Sequence, residues 1–216
     1  MNNLVLERIG WVLEQMHKEA KKRNAPVFRA EHSTKQTPFK ILVFTMLSAR
    51  TKDETTMKVV EMLFANASTP EQISKLKTSK LETILYGIDF YRVKAKNLIK
   101  LSKIIAERGS VPDTLPELLK LPGVGRKTAN IVLARAFGKN TIGVDVHVHR
   151  ISNRLGIVKT KNRDETEKEL MKKIPKKYIR KLNLTFVAFG QTICVPRKPN
   201  CNSCSISKIC SKVGVV

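Results

Sequence analysis

Every cysteine of the chain lies near its C-terminus, in the pattern C-x6-C-x2-C-x5-C: Cys194, Cys201, Cys204 and Cys210. Intervals this short belong to a loop and not to four separate core thiols, so the segment must fold around whatever its sulfurs hold. Four convergent thiolates suit a [4Fe–4S] cluster or a structural zinc ion. The N-terminal residues carry Glu7, Glu14 and Glu19 among the apolar ones, so no signal-peptide core is present. No run of about 18 apolar residues exists to span a membrane. The expected location is cytoplasmic, with no membrane-spanning segment. In such a reducing compartment, clustered cysteines serve metals before disulfides.

Lysine and arginine number 41 against 18 acidic residues, a formal net charge of +23. An excess of this size favours a polyanionic partner, nucleic acid or an acidic membrane surface. At 216 residues and 42% hydrophobic, the chain can bury a core as one large domain or two small ones. Apolar residues recur at helical spacing almost throughout, and Ile9, Val12, Leu13, Met16 and Ala20 mark one face of an N-terminal helix. Thr37-Pro38 reads as an N-cap followed by proline at the first helical position, opening a helix through Leu47. Further helices are predicted over 57–64, 71–76, 79–85 and 91–108, then to Lys120, 127–137, 146–155, 164–173 and 177–189. The β-branched run Thr141 to Val148 is a strand candidate that reads equally as a loop entering a helix. The expectation is an all-α fold.

Leu121-Pro122-Gly123-Val124-Gly125-Arg126-Lys127 lies between two predicted helices and reads as a helix–hairpin–helix. Glycines permit backbone conformations that side chains block, and their bare backbone lets a phosphate approach. The next helix start offers unpaired N–H groups and the positive end of a dipole. Beside Arg126 and Lys127, and with the overall charge, the hairpin points to DNA over an ordinary turn. Lys127 falls in the first turn of an apolar helix, where burial and the dipole favour a neutral, nucleophilic amine. It fits equally a second phosphate-binding lysine. Asp145, in Gly143-Val144-Asp145-Val146-His147, suits a helix cap, and its carboxylate also suits proton transfer or stabilisation of a cationic sugar.

These segments resemble the endonuclease III family of DNA glycosylases. The resemblance is carried by Leu-Pro-Gly-Val-Gly-Arg-Lys-Thr-Ala-Asn (121–130), Val-Asp-Val-His-Val-His-Arg (144–150), the four-cysteine spacing, and Leu-Ser-Ala-Arg-Thr-Lys-Asp (47–53). It runs from about Pro38 to Cys210. It implies two helical domains flanking a DNA cleft, one contiguous (32–139, six helices with the hairpin) and one discontinuous (1–31 and 140–216, holding the cluster). It implies a [4Fe–4S] cluster on the four cysteines rather than zinc. It implies that Lys127 attacks C1′ of a damaged deoxynucleotide with Asp145 as partner, forming a Schiff base whose β-elimination nicks the strand. The substrate implied is double-stranded DNA with an oxidised pyrimidine or an abasic site, and the enzyme acts as a monomer. Branches without a lysine at this position mostly remove only the base. The adenine branch carries an additional C-terminal domain, which is not expected in the six residues after Cys210.

By the same resemblance Gly123, Val124, Gly125 and Arg126 grip DNA, Arg197 and Lys198 project from the Pro-stiffened loop after Cys194, and Lys139, Arg150 and Arg154 extend the basic track. Ser48, Asp53 and His147 fall at lesion-pocket positions. Asp53 also suits a local salt bridge, and His147 a satisfied, partly buried imidazole. Three positions depart from the family pattern. Arg50 replaces a glutamine that fills the gap left by the extruded base. Phe90 replaces an intercalating leucine and suits either a wedge between bases or core packing. His149 replaces an apolar residue, as a surface contact or a pocket change. Arg50 and His149 keep a thymine/uracil mismatch glycosylase open as an alternative. A non-catalytic helix–hairpin–helix DNA-binding protein is the alternative outside enzymes, against which Lys127 and Asp145 argue.

Overall fold

The structure, a computed structural model, describes residues 2–32 and 37–215, apart from the side chains of 30–32. Residues 33–36, inside the expected 32–139 domain, lie outside the described residues. All regular structure among the described residues is helical. The run from Thr141 to Asp145 is irregular chain leading into the Val146–Arg154 helix, so the strand alternative is not adopted. Two compact units form, one of residues 30–138 and one of residues 1–29 with 139–216. No described helix is long and apolar enough to cross a membrane.

The unit of residues 30–138 is built around the Pro38–Leu47 helix. It is apolar on every face, with Phe39 and all of Ile41 to Leu47 buried, as a helix surrounded by others must be. Thr37 caps it by accepting from the Lys40 N–H, and Pro38 occupies the first turn. The helices Asp53–Asn66, Tyr91–Arg108 and Arg126–Ala136 pack on it. The Asp53–Asn66 helix begins four residues before the predicted start at Met57, because Asp53 and Glu54 suit the positive end of its dipole. Gly109, at φ 79°, ends the Tyr91–Arg108 helix by donating its N–H to Ile105 O.

In the other unit the Ile9–Lys22 helix lies against Lys176–Thr192, which in turn packs on Val146–Arg154. The predicted stripe of Ile9, Val12, Leu13, Met16 and Ala20 is buried in full. Phe186 and Phe189 fill the centre of this core with Leu170 and Ile151. Phe186→Ala is expected to lower stability by about 3–5 kcal/mol in denaturant unfolding, through lost burial and a cavity. A loss below about 1 kcal/mol would contradict a close-packed core there.

Candidate functional site

The hairpin follows the short Leu115–Leu119 helix and is closed by Val124 N–H donating to Leu121 O (3.1 Å). Gly123 has φ 79°, where a side chain is strained, and a Cβ there would sit 3.1 Å from Asn97 Nδ2. Gly125 differs. Its φ is −92°, and a Cβ would meet nothing within 4 Å, so no internal contact requires glycine there. The Val124 side chain is buried in the core and its N–H is spent on Leu121, so the residue anchors the hairpin and offers DNA neither group. The Arg126–Ala136 helix starts without a side-chain cap, which suits its first turn to an external anion. Lys127 stands half-buried in that turn, and Arg126 is exposed.

On the same unit, Arg50 and Phe90 face each other. The Arg50 guanidinium lies 5.5 Å from the centre of the Phe90 ring. Both residues are left-handed, with φ 65° and 59°, at a cost on the order of 1–3 kcal/mol each. Phe90 is 60% exposed, which excludes its core-packing alternative. Phe90 is also the N-cap of Tyr91–Arg108, a position usually extended. Thr51 Oγ1 accepts from the Asp89 N–H (3.0 Å), and Lys94 Nζ donates to Leu47 O (2.9 Å) and Ala49 O (2.7 Å). Burial pulls Lys94 down to about 8, against the pull of Asp89. Ser48 turns its hydroxyl onto Thr45 O (3.1 Å), within its own helix, and Asp53 opens the next helix. Thr51 lies inside the 47–53 segment without a role of its own in the sequence, and Lys94 lies in none of the quoted segments. Lys94 carried a signal all the same, a cation at the spacing of the buried Leu98, Leu101 and Ile105.

On the other unit, Asp145 caps Val146–Arg154, with Oδ1 accepting from the N–H groups of His147 and Val148 at 2.9 Å each. Gly190 leaves room for this helix, since a Cβ there would clash with His147. Arg150 and Arg154, one turn apart, point at the cysteine loop. Arg150 Nη2 donates to Cys194 O (2.9 Å) and Gly190 O (3.1 Å). Arg154, only 7% exposed, donates to Val195 O (2.7 Å), Pro196 O (2.8 Å) and Cys194 Sγ (3.4 Å). Burial lowers Arg150 from its usual range. Both arginines therefore hold the loop's backbone. His149 is also turned inward, its Nδ1 2.7 Å from Thr166 Oγ1. Arg197 and Lys198 are exposed, Lys198 with φ 50°.

The four cysteines are free thiols, each half-buried, and all line one cavity with Ile151, Leu155, Phe189 and Ile206. Among the described residues no three His, Cys, Asp or Glu side chains stand close enough to share a single metal ion. Burial pushes Cys204 up to about 11 and raises Cys210 as well. Such thiols lose their protons to a soft metal and not to water. The Lys212 N–H and Arg154 Nη1 already donate to the sulfurs of Cys210 and Cys194 (3.4 Å each), so the donor set fits an anionic, all-sulfur centre. The loop is also tied to the N-terminal helix. Glu19 accepts from Ser205 N–H (3.0 Å) and Oγ (2.7 Å), and Arg23 donates to Ser203 Oγ (3.2 Å). These ties join residues about 180 positions apart and left no local mark in the sequence.

Residues 43–176 match the model of the HhH-GPD superfamily of base excision DNA repair proteins. The chain is 45% identical to endonuclease III of Thermotoga maritima, with 92% of each chain covered. It is 38% identical to endonuclease III of Escherichia coli K12, over 81% of this chain and 83% of that one. Among solved structures it is similar to a trapped endonuclease III–DNA covalent intermediate, with TM-score 0.84, 36% identity and 96% of each chain covered. A thermostable thymine-DNA glycosylase is similar with TM-score 0.73 and 27% identity, over 90% of this chain and 96% of that one. With the glycine hairpin, the Lys127 helix start and the four-cysteine loop in place, the chain belongs to the endonuclease III family of the HhH-GPD superfamily.

Proposed function

We propose that the protein is a base-excision DNA glycosylase with AP lyase activity, acting on double-stranded DNA that carries an oxidised pyrimidine or an abasic site. The observation that carries this assignment is Lys127 itself, a half-buried amine in the first turn of an uncapped helix directly after the glycine hairpin. A solved covalent endonuclease III–DNA intermediate among the similar structures supports a covalent route. The hairpin grips a phosphate through the backbone at Gly123, Gly125 and the helix start. The open space beside Gly125 accounts for a glycine that no internal contact requires. Arg197 and Lys198 add exposed phosphate contacts.

The target nucleotide leaves the stack before reaction, at least cost where the pair is already damaged. Phe90 enters the duplex as the wedge and Arg50 fills the vacated space, while Ser48, Asp53 and His147 border the lesion. The Lys127 amine attacks C1′, the C1′–N bond breaks, and its electron pair leaves with the base, which takes up a proton. Asp145 accepts the proton lost by the lysine and stabilises positive charge at C1′. Its cap bonds fix the carboxylate for this task. Opening of the C1′–O4′ bond, with O4′ keeping the electron pair and taking up a proton, yields the protonated Schiff base. Removal of a C2′ proton expels the 3′ phosphate, and water then releases the lysine.

Cys194, Cys201, Cys204 and Cys210 hold a [4Fe–4S] cluster, which when bound gives the C-terminal loop a rigid centre and supplies no step of base removal. The unit of residues 1–29 and 139–216 is the cluster domain, and residues 30–138 form the helix–hairpin–helix domain. Chemical analysis of anaerobically purified protein is expected to give four irons and four acid-labile sulfides per chain. One zinc and no sulfide would overturn the cluster assignment.

Lys127→Gln is expected to lower strand nicking at thymine-glycol and abasic sites by at least about 10³-fold while the folded protein still binds the duplex. Unchanged nicking would contradict the nucleophile assignment. Nicking confined to abasic sites in the wild type, with thymine opposite guanine excised instead, would favour the mismatch glycosylase. If six to ten phosphates are neutralised, affinity is expected to fall by about 10³–10⁵ between 50 and 200 mM salt. A nearly flat salt response would contradict phosphate-dominated binding.

A further inference from the structure

Lys94 lies on the apolar side of the Tyr91–Arg108 helix, half-buried, four residues before Leu98 and seven before Leu101. Its ammonium donates to the carbonyls of Leu47 and Ala49, the end of the central helix and the turn that follows it. Carbonyls at a helix C-terminus lack intrahelical partners and carry the negative end of the dipole, so a cation is favoured there. The next residue after this clamp is Arg50, in the left-handed region. A second tie joins Thr51 Oγ1 to the Asp89 N–H, and the next residue after that tie is Phe90, also left-handed. Two segments about 40 residues apart in sequence are thus pinned twice, each time beside a strained residue. Those two residues then stack on each other. Phe90 O is itself tied down, accepting from the Lys94 N–H at 3.0 Å. Lys94 thereby engages both segments, one through its side chain and one through its backbone.

We infer that Lys94 is a positioning residue that, together with Thr51, locks the Arg50 and Phe90 segments into one unit, so that gap-filling and wedging occur in concert. This rests on the proposed base-excision function, in which Arg50 and Phe90 enter the duplex. Lys94 itself touches no substrate. Its part is to hold two unfavourable backbone conformations that neither residue type adopts by preference. An isolated wedge would need only Phe90. The cation–π contact and the paired clamps make the insertion a two-residue device.

The test uses duplex DNA with a tetrahydrofuran abasic analogue, which resists cleavage, and 2-aminopurine opposite it as a reporter of unstacking. Wild-type protein raises the fluorescence on binding. Lys94→Met is expected to lose most of that rise and about 10-fold of lesion-site affinity, with affinity for undamaged duplex unchanged, since a small misplacement at a site costs this much or more. Lys94→Arg, which keeps a cation within reach of the carbonyls, is expected to restore the rise. In the wild type, Arg50→Ala and Phe90→Ala are expected to combine non-additively, and in Lys94→Met additively. A folded Lys94→Met that unstacks the reporter like wild type, while Phe90→Ala does not, would overturn the inference and leave the function intact. A Phe90→Ala protein with full unstacking would overturn the wedge assignment instead. Should Lys94→Met fail to fold, Thr51→Val decides. Loss of coupling between Arg50 and Phe90 supports the inference, and wild-type coupling overturns it.

Discussion

One carboxylate oxygen organises the unit of residues 1–29 and 139–216. Asp145 Oδ1 takes the N–H groups of His147 and Val148 in the first turn of the Val146–Arg154 helix and so fixes where that helix begins. A cap of this kind contributes about 0.5–2 kcal/mol, yet its positional effect is larger than its energy. The helix start sets the direction of Arg150 and Arg154, whose guanidiniums hold Cys194, Val195 and Pro196 by their carbonyls. Those three residues begin the cysteine loop. The residue assigned to proton transfer and the first cysteine of the centre therefore sit at opposite ends of one short, rigid chain of hydrogen bonds.

The unit of residues 30–138 solves a related problem with backbone. Its central helix is buried continuously from Ile41 to Leu47, so both the hairpin and the Arg50 turn are mounted on an element that cannot shift without disturbing the core. Gly123 is demanded by φ and by the close approach of Asn97, whereas Gly125 is demanded by nothing inside the protein. That contrast separates a glycine required by the fold from one that keeps a surface clear. Lys94 shows the converse, a charged side chain placed among apolar neighbours to end a helix where a side chain must emerge. Burial depresses it only to about 8, so at neutral pH the cation is retained for the two carbonyls.

The helices were legible because their signals are local: the apolar stripe from Ile9 to Ala20, the Thr37-Pro38 start, and Gly109 as a stop. The hairpin and the cysteine loop were legible because their residue types and spacing are constrained by chemistry. The orientation of the arginines was not. Arg150 and Arg154 resemble a basic track in sequence, and only packing against the Cys194–Pro196 backbone turns them inward. Val124 likewise sits inside a DNA-gripping motif while its own side chain belongs to the core. The ties from Glu19 and Arg23 to Ser205 and Ser203 link the two ends of the chain, and no window of sequence contains both partners.

The central claim is that Lys127 forms the covalent link to the sugar. Borohydride reduction of the protein on a thymine-glycol duplex, followed by proteolysis and mass spectrometry of the DNA-bound peptide, tests it most directly. A single adduct on Lys127, present on the abasic duplex as well, is the predicted result. An adduct on another lysine, or none on either duplex, would contradict the account.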